Sequence, residues 1–272
     1  MLNETSLDTV CASLSYAMGI EAPSAAAEKN SVFSDWVDKK VGQKKFNRVF
    51  MYNPDAIAKW ILEKYPFLFS EVSTLCDLRL PLRCVMPSVT PVCFATMYTG
   101  AQPQVHGIVK YEKPVVRTDS IFDVLVRNGM RAAIVAEKNC SMSQIFLERD
   151  MDYFIYDTVD QVNAKASELI VGNTHDFIAV YNGNYDTVMH KHGPESIEAL
   201  AEARANTHAF ATFVSLIKNN WTNHRTLYGF AMDHGCHEID GNCGSHGLDM
   251  EEDLNIVHFY GSFVPGMMSE PE

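Results

Sequence analysis

Seven short runs rich in β-branched and aromatic residues recur along the chain, with helix-patterned stretches between them, and this alternation leaves few folds open. The runs are RVFMY (48–52), LRCVM (82–86), RAAIVAE (131–137), DYFIYD (152–157), DFIAVYN (176–182), TLYGFAMD (226–233) and NIVHFYG (255–261). Several are apolar nearly throughout, as strands covered on both faces must be. The pattern therefore predicts a three-layer α/β/α sandwich around a mostly parallel central sheet. Among the intervening helices, DSIFDVLVRN (119–128) opens on an Asp-Ser capping pair and stops at Gly129. Residues 195–219 put Ile197, Leu200, Ala201, Phe210, Phe213, Val214 and Ile217 near one helical face, so this helix should pack on the sheet. No repeat or flexible linker interrupts the order, which gives one domain over 1–272, with 1–45 as an N-terminal helical appendage packing on the core.

A chain of 272 residues can bury about three quarters of its unfolded surface, so it needs no staple to fold. Its 34 acidic residues outnumber 22 basic ones, for a net charge of −12, which disfavours a nucleic-acid polymer as partner. A small anion is still admissible, because one pocket can oppose the field of the whole surface. The seven cysteines are scattered without a CxxC pair and read as reduced thiols of a cytoplasmic protein. The N-terminus lacks the basic and apolar regions of a signal peptide, and no apolar stretch reads as a membrane span.

Ligands of open α/β sheets bind outside the carboxyl ends of the strands. Three strands here run into Asp55, into Asp233-His234, and into NYDTVMHKHGP with its Asp186 and His190. The loop GSHG (244–247) presents His246, and in PSVTPVCFATMYTG (87–100) Thr90 stands just before Pro91, where a helix should begin. Three carboxylates and three imidazoles suit two zinc-like ions with open positions for substrate. Two such ions would lower the pKa of a bound hydroxyl, which makes Thr90 the candidate nucleophile. Each piece also has a plainer reading. DHG or GSHG alone fits a simple turn, and Asp55 and Thr90 could be helix caps. His106 fits a loop-holding role, His192 a substrate-facing one, and Cys93 packing inside a helix.

Together these residues resemble the alkaline phosphatase superfamily, in particular its type I phosphodiesterase/nucleotide pyrophosphatase branch. PSVTPVCFATMYTGAQPQVHGI (87–108) is similar to the branch's nucleophile segment, YDTVMHKHGP (185–194) to its D-x3-H metal segment, and MDHG (232–235) and GSHG (244–247) to its remaining ligand motifs. The resemblance runs in the family's order from about Arg48 to Gly261. It implies an alkaline phosphatase-like fold and a metal-dependent hydrolase acting on phosphoester bonds of a small phosphate-containing substrate. By resemblance one ion is held by Asp186, His190 and His246, and the other by Asp55, Asp233, His234 and the Thr90 oxygen. The cofactors implied are two divalent ions, zinc first and manganese as the alternative. Attack by Thr90 would form a covalent phospho-threonine that water then hydrolyses.

The chain departs from that pattern in three places. After the HGI turn it offers Lys110 and Tyr111 in place of an Asn, and a lysine there would either favour a monoester or phosphonate or be a solvated loop residue. Between Gly235 and His246 it has only CHEIDGNCGS in place of a substrate cap, so the site should be open or completed by a second subunit of a homo-oligomer. Finally, SLDTVCASLSYAMGIEAP (6–23) is similar to a helix that relatives carry after the last strand, which implies either a circular permutation or an N-terminal helix that occupies the same groove.

Overall fold

A computed structural model describes residues 1–266. Its central sheet holds β1 (Arg48–Pro54), β2 (Leu78–Arg83), β3 (Ala132–Glu137), β4 (Asp152–Tyr156), β5 (Phe177–Asn182), β6 (Thr226–Phe230) and β9 (Asn255–Phe263), and β7 (His237–Ile239) pairs with β8 (Cys243–Ser245) in a separate hairpin. The order across the large sheet is β2-β9-β6-β1-β5-β3-β4. The pairings from β6 through β4 are parallel, whereas β9 runs antiparallel to both β6 and β2.

The helices follow in chain order as α1 (Thr9–Met18), α2 (Ser31–Val41), α3 (Lys59–Lys64), α4 (Ser70–Leu75), α5 (Thr90–Thr99), α6 (Pro103–His106), α7 (Ile121–Arg127), α8 (Met142–Ile145), α9 (Val159–Gly172), α10 (Asn184–His192), α11 (Ile197–Asn220) and α12 (Glu251–Leu254). The amphipathic stretch at 195–219 becomes α11, and Ser120 caps α7 in a reciprocal box with Asp123. Aromatic side chains join the layers. Phe50 and Tyr52 of β1 meet Phe213 and Phe210 of α11, while Phe177 of β5 meets Tyr98 of α5 and Phe122 of α7 on the other face. Burial of these rings and of the strand interiors is the main attraction between sheet and helices. Among the described residues no helix is long and apolar enough to cross a membrane.

One strand needs correcting. The run expected at 82–86 lies at 78–83, where alternate residues are buried and exposed. This is an edge strand with a single covered face, so its signal is period two, whereas the apolar run CVM continues past its end. Pro81 is tolerated there because an edge strand has a row of unpaired amides.

The N-terminal segment is tied to this same edge. Leu7 N donates to Arg83 O and Arg83 N to Thr5 O, and the Asn3 amide reaches the carbonyls of Leu82 and Ile256. Phe33 of α2 packs edge-on against Tyr260 of β9 at 4.8 Å between ring centres. Residues 3–7 and Phe33 thus lie at the β2–β9 edge, whereas α1 packs on α5 and α2.

Candidate metal centre

The three central strands β6, β1 and β5 end side by side, and the residues that follow them converge. Asp55 is fixed directly after β1 by its amide donating to Asn182 O at the end of β5. From β5 the chain turns at Gly183 into α10, whose first turn carries Asp186 and whose next turn places His190 on the same face. Beyond β6, Ala231 N still bonds Tyr52 O before the chain reaches Asp233 and His234. His246 follows β8, and Thr90 opens α5.

Neither plainer reading of Asp55 and Thr90 describes what their side chains do. Helix α3 begins only at Lys59, and no side chain caps α3 or α5. The Thr90 hydroxyl instead lies 3.2 Å from His234 Nε2 and 3.4 Å from Asp55 Oδ2.

Two groups of ligand atoms form: Asp186, His190 and His246, partly open to solvent, and Asp55, Asp233 and His234, fully buried, each group with its atoms within 4.8 Å of one another. All three histidines turn Nδ1 to a main-chain carbonyl: His190 to Gly244 O at 2.9 Å, His234 to Gly235 O at 2.9 Å and His246 to Ser88 O at 3.0 Å. An Nδ1–H donated to a carbonyl fixes the tautomer and leaves the Nε2 lone pair facing the cluster, the usual support of a metal-binding imidazole. There Nε2 of His190 and of His246 lie 3.2 and 3.4 Å from Asp186 Oδ1, and Nε2 of His234 lies 3.5 Å from Asp55 Oδ1 and 3.3 Å from Asp233 Oδ2. Those three carboxylate oxygens are buried without a hydrogen-bond partner. Acceptors facing acceptors in a low-dielectric site need a proton or a metal cation between them, and as metal ligands the mixed nitrogen and oxygen donors with no thiolate fit zinc or manganese.

The protein's own charges show the same need. Burial and the Asp186 charge push the Asp55 carboxyl up to about 7, and burial with the Asp55 charge raises Asp233 well above the carboxylate range. Asp186 is held below that range: burial opposes ionisation, but the adjacent His190 and His246 imidazoles outweigh it. The Asp186 carboxylate beside it lifts His190 to about 9. Burial and the neighbouring His246 charge press His234 well below the ordinary imidazole value.

The remaining candidates lie outside this cluster. Lys110 is exposed and ion-pairs with Glu112 at 3.3 Å, and Tyr111 is exposed beneath the Lys113 ammonium. His192 ends α10 in an exposed position. His106 braces its loop, bonding Thr96 Oγ1 at 3.0 Å and accepting from Ile108 N, and Cys93 is buried inside α5. The cap-replacing residues form the β7–β8 hairpin, laid on α10 so closely that a Cβ at Gly244 would come within 2.2 Å of Met189. One contact was not foreseen. Tyr181, buried at the end of β5, donates its hydroxyl to Asp55 Oδ2. Gly183 makes room for that hydroxyl, since a Cβ there would sit 2.7 Å from it.

A family model described as type I phosphodiesterase / nucleotide pyrophosphatase matches residues 52–260. The chain belongs to that family. With it comes the alkaline phosphatase superfamily, whose sandwich the sheet and helices reproduce. No curated protein is matched by sequence. Among solved structures, murine ectonucleotide pyrophosphatase / phosphodiesterase 5 superposes with a TM-score of 0.57 at 16% identity over 71% of this chain and 58% of that one. The human protein of the same name gives 0.57 at 15% over 71% and 58%. An inactive threonine-to-alanine form of the murine protein, in complex with AMP, gives 0.58 at 15% over 72% and 59%. This family member therefore spans about six-tenths of the length of these solved proteins.

Proposed function

We propose that the protein is a two-metal phosphoester hydrolase of the phosphodiesterase and nucleotide pyrophosphatase type with Thr90 as nucleophile. The observation that carries the reading is the position of Thr90 Oγ1, 3.2 Å from His234 Nε2 and 3.4 Å from Asp55 Oδ2 at the head of α5. Asp186, His190 and His246 would hold one divalent ion, and Asp55, Asp233, His234 and the Thr90 oxygen the other. When bound, such ions neutralise the three carboxylates and stabilise charge on the phosphoryl oxygens and on the attacking oxygen.

The chain supplies the rest of the chemistry. Burial keeps the Thr90 hydroxyl largely unsolvated, and Asp55 Oδ2 is the carboxylate oxygen it faces and to which its proton can pass. Attack forms the Oγ1–P bond and breaks the bond from phosphorus to the leaving oxygen, which takes up the proton that Thr90 gave. Water then forms a new P–O bond as Oγ1–P breaks, and one of its protons restores the hydroxyl. The inactive threonine-to-alanine relative bound to AMP supports both the nucleophile and a small nucleotide-like substrate. The monoester and phosphonate alternatives rested on Lys110, which is engaged with Glu112, so diesters and pyrophosphates stand ahead.

With only a short hairpin over the ligands, the leaving group would face solvent or a second copy of the chain. Zinc suits the donor set, and seven free cysteines, five of them buried, suit the reducing cytoplasm. The test is a panel of bis-p-nitrophenyl phosphate, p-nitrophenyl phosphate and phosphonoacetate, assayed with EDTA and after zinc is restored. The diester should be hydrolysed fastest, lost with EDTA and regained with zinc. A faster monoester would support the phosphatase alternative. Tight zinc and phosphate binding without turnover of any member would make the chain a non-catalytic anion-binding module.

A further inference from the structure

Asp253 lies outside both ligand groups, yet it holds a loop from each. Its carboxylate is fully buried; Oδ1 lies 2.7 Å from His237 Nδ1, and Oδ2 accepts from Leu248 N at 2.8 Å. Its main-chain carbonyl accepts from Gly235 N at 2.8 Å. Gly235 is the residue after His234, and Leu248 stands two positions after His246. His237 opens β7, and its cross-strand partner in β8 is Ser245, the residue before His246. Thus one residue makes three bonds to the two loops that deliver one imidazole to each half of the centre. The approach is close enough that a Cβ at Gly235 would fall 2.0 Å from Glu252 O. The turn that carries Asp253 is braced in its own right: Asn255 Oδ1 accepts from Asn3 N at 2.7 Å, and Asn255 Nδ2 donates to Met1 O at 3.0 Å.

Resting on the two-metal reading above, we infer that Asp253 is a positioning residue that clasps the His234 and His246 loops in register, so that the affinities of the two metal positions depend on one carboxylate. A large cap would tie these loops together through its own fold. Here ten residues separate Gly235 from His246, and the tie is made from the side by α12. A carboxylate that accepts from an imidazole N–H and a peptide N–H at once fixes two directions, which a purely apolar contact would leave free.

The experiment measures zinc binding by Asp253→Ala and His237→Ala against the unaltered protein, by competition with a chromogenic chelator, with diesterase kcat and KM at saturating zinc as a second readout. Loss of a partner that orients metal ligands costs about tenfold or more in metal affinity. Asp253→Ala should therefore weaken both zinc positions by about tenfold or more, His237→Ala should weaken both by less, and excess zinc should recover much of kcat with KM little changed. A folded Asp253→Ala protein that binds two zinc ions as tightly as the unaltered one overturns the clasp. If Asp253→Ala does not fold, His237→Ala decides on the same criterion. Absence of zinc binding by the unaltered protein would instead refute the two-metal reading itself.

Discussion

His234 Nε2 lies 3.2 Å from Thr90 Oγ1, although the two residues stand 144 positions apart. His234 follows the sheet's sixth strand and Thr90 opens a helix, so the fold alone brings imidazole and hydroxyl together. Both are buried, and the imidazole is pressed toward its neutral form by that burial and by the nearby His246 charge. This pairing sets the expectations that follow.

Zinc should stabilise the fold. A ligand at a hundred times its dissociation constant adds about 2.7 kcal/mol, which for a chain of this size raises the melting temperature by roughly 5–10 °C. Asp186→Ala removes the carboxylate that faces both His190 and His246, and it should lose much of that gain. Differential scanning fluorimetry with and without zinc checks both.

Tyr181→Phe should leave Asp55 Oδ2 with only the long 3.4 Å contact from the Thr90 hydroxyl inside a buried site. Loss of the better donor to a buried acceptor costs about 1–3 kcal/mol, to be read as a fall in the urea-unfolding free energy measured in chelator. The side chain keeps its volume, so its packing with Phe94, 5.7 Å between ring centres, should persist and the loss should be polar in origin.

Gly235→Ala should be among the most damaging single changes. Its Cβ would meet backbone, Glu252 O at 2.0 Å, which cannot swing aside. Overpacking of this kind costs about 3 kcal/mol or more, and a melting temperature within two degrees of the unaltered protein would contradict the close approach.

His258 gives the pH prediction. Its Nε2 lies 2.7 Å from Met232 O and its Nδ1 2.9 Å from the Tyr260 hydroxyl, so the neutral ring is fully satisfied, and burial lowers its pKa from 6.5 to about 4. Between those values the unfolded chain takes up a proton that the folded one refuses. Stability from this group is therefore complete above pH 6.5 and is lost as pH falls toward 4, by about 3 kcal/mol at most. Urea unfolding at pH 7 and pH 4.5 should show a smaller pH-dependent loss in His258→Gln than in the unaltered protein.

The sequence disclosed those parts of the site that sit at strand ends. Asp55, Asp186, Asp233 and His234 each follow a run whose strand character is plain, and His190 is one helical turn beyond Asp186, so periodicity alone brought them to one edge of the sheet. The strand at 78–83 was harder because Leu78, Leu80 and Leu82 cover one face only, and the adjacent CVM imitates a strand without being one. Tyr181 and Asp253 were hidden for another reason. Their roles are hydrogen bonds to atoms remote in the chain, that of Tyr181 across 126 positions, and no local pattern reports which distant atom a hydroxyl or carboxylate will meet. Lys110 follows the HGI turn, where substrate contact and a solvated loop lysine were both legible, and its exposed ammonium faces Glu112.

The central claim is most directly tested by zinc content and diester turnover measured together in Thr90→Ala. Its metal ligands are otherwise intact, so the variant should still hold two zinc ions per chain while its kcat on bis-p-nitrophenyl phosphate falls by about a thousandfold or more, as loss of a covalent nucleophile requires. Two bound zinc ions with turnover within tenfold of the unaltered protein would contradict Thr90 as the nucleophile.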